Sequence, residues 1–89
     1  MASYRIEFAA SAEKDLRRLT PALVANVLQR IEALGDDPTP RRSQKLRGTE
    51  RTYRLRVGDY RVIYELDSGA RVILVYHIRH RREVYRQLE

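Results

Sequence analysis

Cysteine and tryptophan are absent from this chain, and lysine, methionine and phenylalanine are nearly so. Without cysteine there is neither a disulfide nor a thiolate metal site, and the composition suits a reducing compartment. With 89 residues there is room for one small domain spanning residues 1–89, which must rely on its hydrophobic core alone. No apolar run reaches the roughly 18 residues a membrane helix needs, and Met1-Ala-Ser-Tyr-Arg-Ile-Glu7 lacks the apolar centre of a signal peptide. A soluble, cytoplasmic protein with no membrane partner is therefore expected. The four glycines form no phosphate-cradling loop, and no Ser-His-Asp arrangement is visible. The two histidines, His77 and His80, have no carboxylate partner at ligand spacing, so neither a metal nor another cofactor is expected.

Arginine is what the chain has in abundance, accounting for sixteen of its eighteen basic residues. Residues 1–40 carry five basic and six acidic groups, whereas residues 41–89 carry thirteen and six, so the net charge of +6 belongs to the second half. The planar guanidinium fork matches phosphate in two-point contacts and stacks on bases, which lysine does not. A polyanion is thus the first partner to consider. Nucleic acid ranks ahead of membrane because no basic amphipathic helix with a bulky apolar face is present.

The organising stretch is Tyr53-Arg-Leu-Arg-Val-Gly-Asp-Tyr-Arg-Val-Ile-Tyr64. Two alternating runs, Thr52 to Val57 and Tyr60 to Leu66, flank Gly58-Asp59, the signature of a tight β-hairpin. Alternation puts Tyr53, Leu55 and Val57 on one face and Arg54 and Arg56 on the other. With Gly58 and Asp59 as the loop, Arg56 lies opposite Arg61, a like-charge pair that is unfavourable by up to about 1 kcal/mol. An anion would relieve it. A solvated arginine face is the bland reading of one such charge; three converging at one end of a hairpin favour a phosphate site.

Around this hairpin, Tyr4 to Phe8 reads as a strand with Tyr4, Ile6 and Phe8 inward. Ser11 is placed to cap a helix over Ala12 to Leu19, with Glu13 and Asp15 in its first turn. Thr20-Pro21 opens a second helix, apolar at 24, 27, 28, 31 and 34 and ended by Gly35. The segment Asp36 to Pro40 reads as a loop continuing through Arg41 to Gly48, with Leu46 as its anchor. After the turn Asp67 to Ala70, Arg71 to Arg79 reads as an interior strand, apolar on both faces over Val72 to Val75, and His80 to Glu89 as a short terminal helix. If the pleat runs unbroken, Arg79 shares its face with His77, Val75 and Ile73, and that face is open and basic.

Cleavage of RNA by its own 2′-hydroxyl requires stabilisation of phosphorane charge, alignment and proton transfer. Arginine supplies charge but is a poor proton carrier, since its guanidinium stays protonated far above neutral pH. The proton-transfer candidates are His77, His80, Glu65 and Tyr85. His77 reads equally as a half-buried structural residue, His80 as the start of the terminal helix, and Glu65 as a charge partner for arginine. Tyr85 either packs beneath that helix or stacks on a base, the latter worth about 1–3 kcal/mol.

Taken together, the strand Tyr4 to Phe8, the helical pair, Lys45-Leu-Arg-Gly48, the hairpin Tyr53 to Tyr64 and His80-Arg-Arg-Glu-Val-Tyr85 resemble the RelE/ParE toxin superfamily on its RelE side. The resemblance covers nearly the whole chain. It implies an α+β domain with the helical hairpin packed on a curved, mainly antiparallel four-stranded sheet and a short C-terminal helix. It also implies the toxin of a type II toxin–antitoxin pair, a ribosome-dependent endoribonuclease that cuts A-site mRNA to a 2′,3′-cyclic phosphate. The partners implied are the 70S ribosome with mRNA and a RelB-like antitoxin that forms a hetero-oligomer with the toxin and silences it. By resemblance Arg61 stabilises the phosphorane, Arg79 assists the leaving group and Tyr85 stacks on the base. Arg56 stands where the family has a lysine assigned to proton transfer, a role left either to a histidine, with His80 among the candidates, or to a group supplied by the ribosome. Lys45, Arg47, Arg54 and Arg81 are expected to hold RNA phosphate. Two alternatives remain: a ParE-like gyrase poison, and a non-catalytic basic module that binds nucleic acid or the antitoxin.

Overall fold

The two alternating runs around Gly58-Asp59 pair as anticipated. Strands β3 (Thr52–Val57) and β4 (Tyr60–Asp67) form an antiparallel hairpin in which Val57 pairs with Tyr60 and Arg56 with Arg61. Gly58 takes φ +59°, whereas Asp59 stays at negative φ, the pattern of a type II′ turn whose first residue must lack a side chain to avoid strain. The computed structural model describes residues 4–80, so the expected terminal helix lies outside the described residues.

Around the hairpin, the chain adds β1 (Arg5–Phe8), helices α1 (Ala10–Arg17) and α2 (Pro21–Ala33), β2 (Ser43–Lys45) and β5 (Val72–His80). The sheet has five strands rather than four, ordered β1-β5-β4-β3-β2, and is mixed because β1 runs parallel to β5. The extra strand is β2, expected to be loop. Its Ser-Gln-Lys has no apolar alternation to betray it, yet it pairs with β3 from Ser43–Leu55 to Lys45–Tyr53. No helix among the described residues is long and apolar enough to cross a membrane.

Thr20 caps α2 through Leu23 N–H, as expected, and Val27 and Ile31 on its apolar stripe are buried with Leu34 just beyond. These residues and Ala12 of α1 pack on Leu55, Val57, Val62, Tyr64, Ile73, Val75 and Ile78 of the sheet. Helix α1 departs from expectation. It starts at Ala10, its N-cap is Ala9 with no side-chain cap, and Ser11 instead donates its hydroxyl to the Tyr76 carbonyl at 2.6 Å.

That bond marks the main irregularity of the fold. Ile63 pairs with His77 but Tyr64 pairs with Val75, leaving Tyr76 as an extra residue on β5. Such a bulge reverses which face the following side chains occupy. Ile73 and Val75 stay in the core and Ile78 joins them, while His77 and Arg79 turn to the opposite face. The unbroken pleat expected for β5 is therefore corrected: Arg79 shares a face with His77 but not with Val75 or Ile73.

On the core face Tyr64 is fully buried, stacks on Tyr53 at 5.7 Å and donates its hydroxyl to the Pro38 carbonyl at 2.6 Å. This bond ties the loop after α2 to the sheet and so fixes where Arg41 and Arg42 emerge. Burial pushes the Tyr64 phenol from 10.0 up to about 12. The folded state favours the neutral phenol, so its contribution is full below pH 10.0 and is lost as pH rises toward about 12. Tyr64→Phe should lower stability by about 1 kcal/mol, or roughly 4–8 °C in Tm. The gap between wild type and variant should narrow from pH 10.0 to about 12 in chemical denaturation; a gap independent of pH would show that Tyr64 is not the buried phenol that titrates.

Candidate functional site

On the sheet face away from the core, register places three arginines abreast. Arg56 of β3 pairs with Arg61 of β4, and Arg61 pairs with Arg79 of β5. The sequence anticipated the first pairing; the Tyr76 bulge supplies the second. Arg54 lies in the neighbouring row, opposite Ile63, which in turn pairs with His77.

Cations packed side by side need separate outlets for their charge. Arg79 directs Nε to both oxygens of Asp15, at 3.1 and 3.0 Å. Arg54 donates to Gln44 Oε1 at 3.0 Å. Arg61 folds its Nη1 back onto the hairpin turn, donating to the carbonyls of Gly58 at 3.3 Å and Tyr60 at 3.1 Å. Arg56 is exposed and forms no side-chain hydrogen bond or ion pair among the described residues.

Arg61 is only 5% exposed, which corrects the expectation of a wholly open basic face. It and Asp15 are the buried charged residues of the described chain. Unlike Asp15, Arg61 has no described carboxylate within ion-pair reach; its partners are neutral carbonyls. A buried cation served only by dipoles is costly, and an anion arriving beside it would supply the missing counter-charge.

There is room for one. A cleft of about 850 Å³ opens between β2, the β3–β4 turn and the preceding loop, lined by Arg41, Arg42, Arg54, Arg56 and Arg61 with one acid, Asp59. Five guanidinium groups around one cavity have the charge and fork geometry that suit phosphate. Arg41 and Arg42 were read only as loop; their adjacency in the basic half was the available signal. What positions them is β2, whose pairing begins as Arg56 N–H donates to the Arg42 carbonyl at 3.1 Å.

The family model for the ParE toxin of type II toxin–antitoxin systems matches residues 6–85. The chain belongs to the RelE/ParE toxin family. Toxin RelE of Mycobacterium tuberculosis is 31% identical over 84 residues, covering 93% of this chain and 87% of that protein. Toxin RelG of the same organism is 29% identical over 87 residues, covering 94% and 98%. The archaeal RelE–RelB complex of Pyrococcus horikoshii contains a chain that superposes with a TM-score of 0.79 at 33% identity, covering 89% of this chain and 96% of that one. The five-stranded sheet with two helices is thus the RelE fold, and this chain is a RelE-like toxin of a type II system.

Of the residues expected to act in this toxin, Arg54, Arg56 and Arg61 converge on the cleft. Arg79 is beside them but held by Asp15. Lys45 pairs with Tyr53, so it faces the other side of the sheet, and Arg47 lies exposed in the loop after β2. His80 ends β5 instead of starting a helix; it pairs with Tyr60, meets that ring edge-on at 5.6 Å, and faces away from the arginine row. Glu65 is an arginine partner, 3.7 Å from Arg51. Arg81 and Tyr85 lie outside the described residues.

Asp15 was missed as well as Arg41 and Arg42. Its place near the start of a helix suggested a dipole effect, but it is 4% exposed and accepts the Ile78 N–H at 2.9 Å as well as Arg79. It also gives His77 the carboxylate neighbour absent from the local sequence, with Nδ1 3.5 Å from Oδ2. Asp15→Ala leaves the Ile78 N–H and Arg79 without this partner. It should cost about 3 kcal/mol, at the low end for a broken buried pair because Arg79 reaches solvent. A shift in the urea midpoint worth less than about 1 kcal/mol, the effect of an average substitution, would show that Asp15 does not anchor β5.

Proposed function

We propose that this toxin cuts mRNA in the ribosomal A site by attack of the 2′-hydroxyl on the adjacent phosphate. The observation that carries the reading is the row Arg56, Arg61 and Arg79 beside the five-arginine cleft. In this reaction the 2′-oxygen bonds to phosphorus, the phosphorus to 5′-oxygen bond breaks, and a 2′,3′-cyclic phosphate and a 5′-hydroxyl result. The phosphorane gathers negative charge between these steps, and guanidinium groups already in position stabilise it without reorganisation. Arg56, exposed at the cleft, grips the scissile phosphate, and Arg61 is the charge at its floor. Arg54, Arg41 and Arg42 hold the flanking phosphates.

A RelB-like antitoxin as the partner is supported by the Pyrococcus horikoshii structure, in which the similar toxin is in complex with RelB. An acidic segment that orders on binding would neutralise the cleft and occlude it. The match to the ParE toxin model keeps one competing reading, a ParE-like toxin, for which the resemblance implies poisoning of DNA gyrase.

Primer extension on mRNA translated in a purified system, with and without ribosomes, separates the two. Wild type should cut within A-site codons only when ribosomes are present. Arg56→Ala, at an exposed position, should leave Tm within about 4 °C and slow cleavage about 10²- to 10³-fold. Arg61→Ala should slow it at least as much. Intact mRNA at toxin concentrations that arrest growth would defeat the ribonuclease reading, and gyrase-dependent DNA breakage in the same extracts would replace it.

A further inference from the structure

An arginine site has charge but no group that exchanges protons near neutrality. Among the described residues, the side chains that can do so are few and differently placed. His80 faces the other side of the sheet, against Tyr60. Glu65 is two positions beyond Ile63 on β4 and is engaged by Arg51. Asp59 lines the cleft at the hairpin turn, but carboxylates as a class are weaker bases at neutral pH than imidazoles.

His77 is placed otherwise. The bulge at Tyr76 turns it onto the arginine face, where it pairs with Ile63 and lies diagonal to Arg61 and two positions from Arg79. On a pleated sheet those separations are about 7 Å. Its Nδ1 is buried without a hydrogen-bond partner, and the nearest counter-charge is Asp15 Oδ2, 3.5 Å away. Its ring as a whole is not sealed, the side chain being 35% exposed. A carboxylate beside Nδ1 favours the tautomer with hydrogen there and the lone pair on Nε2, as in carboxylate–histidine pairs generally.

We infer that His77 is the general base of this toxin and Asp15 its positioning residue, a role that rests on the ribonuclease reading above. Nε2 takes the proton of the 2′-hydroxyl as its oxygen bonds to phosphorus. The 5′-oxygen leaves with a proton from water, and the hydroxide so formed recovers the proton from the imidazolium. The charged groups facing His77 are Asp15 from α1, Arg79 on its own strand, Arg61 and Glu65 on either side of Ile63 on β4 and, across Ile63, Arg54 on β3. Asp15 is shared with Arg79, so the carboxylate beside the ring also holds the third arginine of the row. Arg56, as a permanent cation, is then free of any proton-transfer duty.

The test is the pH profile of single-turnover A-site cleavage by wild type, His77→Gln, His77→Ala and Asp59→Asn. Each is checked for its melting temperature and for ribosome binding. Wild type should lose activity toward acid pH. His77→Gln should fold, bind ribosomes as wild type does, cleave about 10²-fold or more slowly and lose the acid limb. Imidazole added to His77→Ala should restore part of the rate. His77→Gln cleaving at the wild-type rate with the limb intact would overturn the inference while leaving the ribonuclease reading standing. A limb that survives in His77→Gln and vanishes in Asp59→Asn would move the base to Asp59. A wild-type protein that cuts nothing would overturn both.

Discussion

Among the described residues, strand β5 has no strand on its outer edge beyond Val75, because β1 ends at Phe8. The start of α1 covers that edge instead. Ala9 N–H donates to the Val75 carbonyl, the Ser11 hydroxyl to the Tyr76 carbonyl, and the Asp15 carboxylate accepts from Ile78 N–H. A helix side thus finishes what a strand began, and it does so with side chains, which reach a bulged backbone that a regular ladder would miss. The rest of the functional face depends on this substitution. Held at Tyr76 and Ile78, the bulge keeps Ile78 in the core and directs His77 and Arg79 outward. A regular β5 in the same place would bury an arginine or expose an isoleucine.

The arginine row also shows how this sheet accommodates repulsion. Like charges side by side cost a few tenths of a kcal/mol to about 1 each. The protein spreads the three guanidinium groups over three environments: a buried carboxylate for Arg79, turn carbonyls for Arg61, and solvent for Arg56. Only the first is a full counter-charge. The other two leave positive potential at one end of the sheet, where Arg41 and Arg42 add to it from the loop that Tyr64 ties down. Stability is thereby given up at the place where an anion can restore it, a common arrangement at binding sites.

Much of this was legible in the chain. Alternation around Gly58-Asp59 defined the hairpin and its register, and through them the Arg56–Arg61 contact. Thr20-Pro21 and the apolar stripe defined α2, and the motifs ending in Val84-Tyr85 carried the family resemblance. What escaped was of another kind. Strand β2 owes its existence to pairing with β3, not to its own polar residues. The bulge at Tyr76 has no local signature, since Val-Tyr-His-Ile alternates acceptably in either phase and its cause lies in α1. Asp15 looked like an ordinary helix-start acid because its partners Ile78 and Arg79 are distant in sequence. Local pattern reports propensity and face; it does not report which distant group will claim a strand edge.

On the ribonuclease reading proposed above, the separation of charge from proton transfer arises from these same contacts. A lysine at position 56 would combine both tasks in one side chain, since a desolvated ammonium can give up its proton. Arginine does not, so the fixed charges sit on β3 and β4 and the exchangeable group must come from elsewhere. On this face β5 offers it at His77, one row from Arg61, and Asp15 links that histidine to Arg79 and to α1. Packing of the first helix and the arrangement of the sheet face are then not independent: the carboxylate that closes the edge of β5 also lies 3.5 Å from the imidazole and holds a guanidinium. A change at Asp15 acts on fold and site together, whereas a change at Arg56 acts on the site alone.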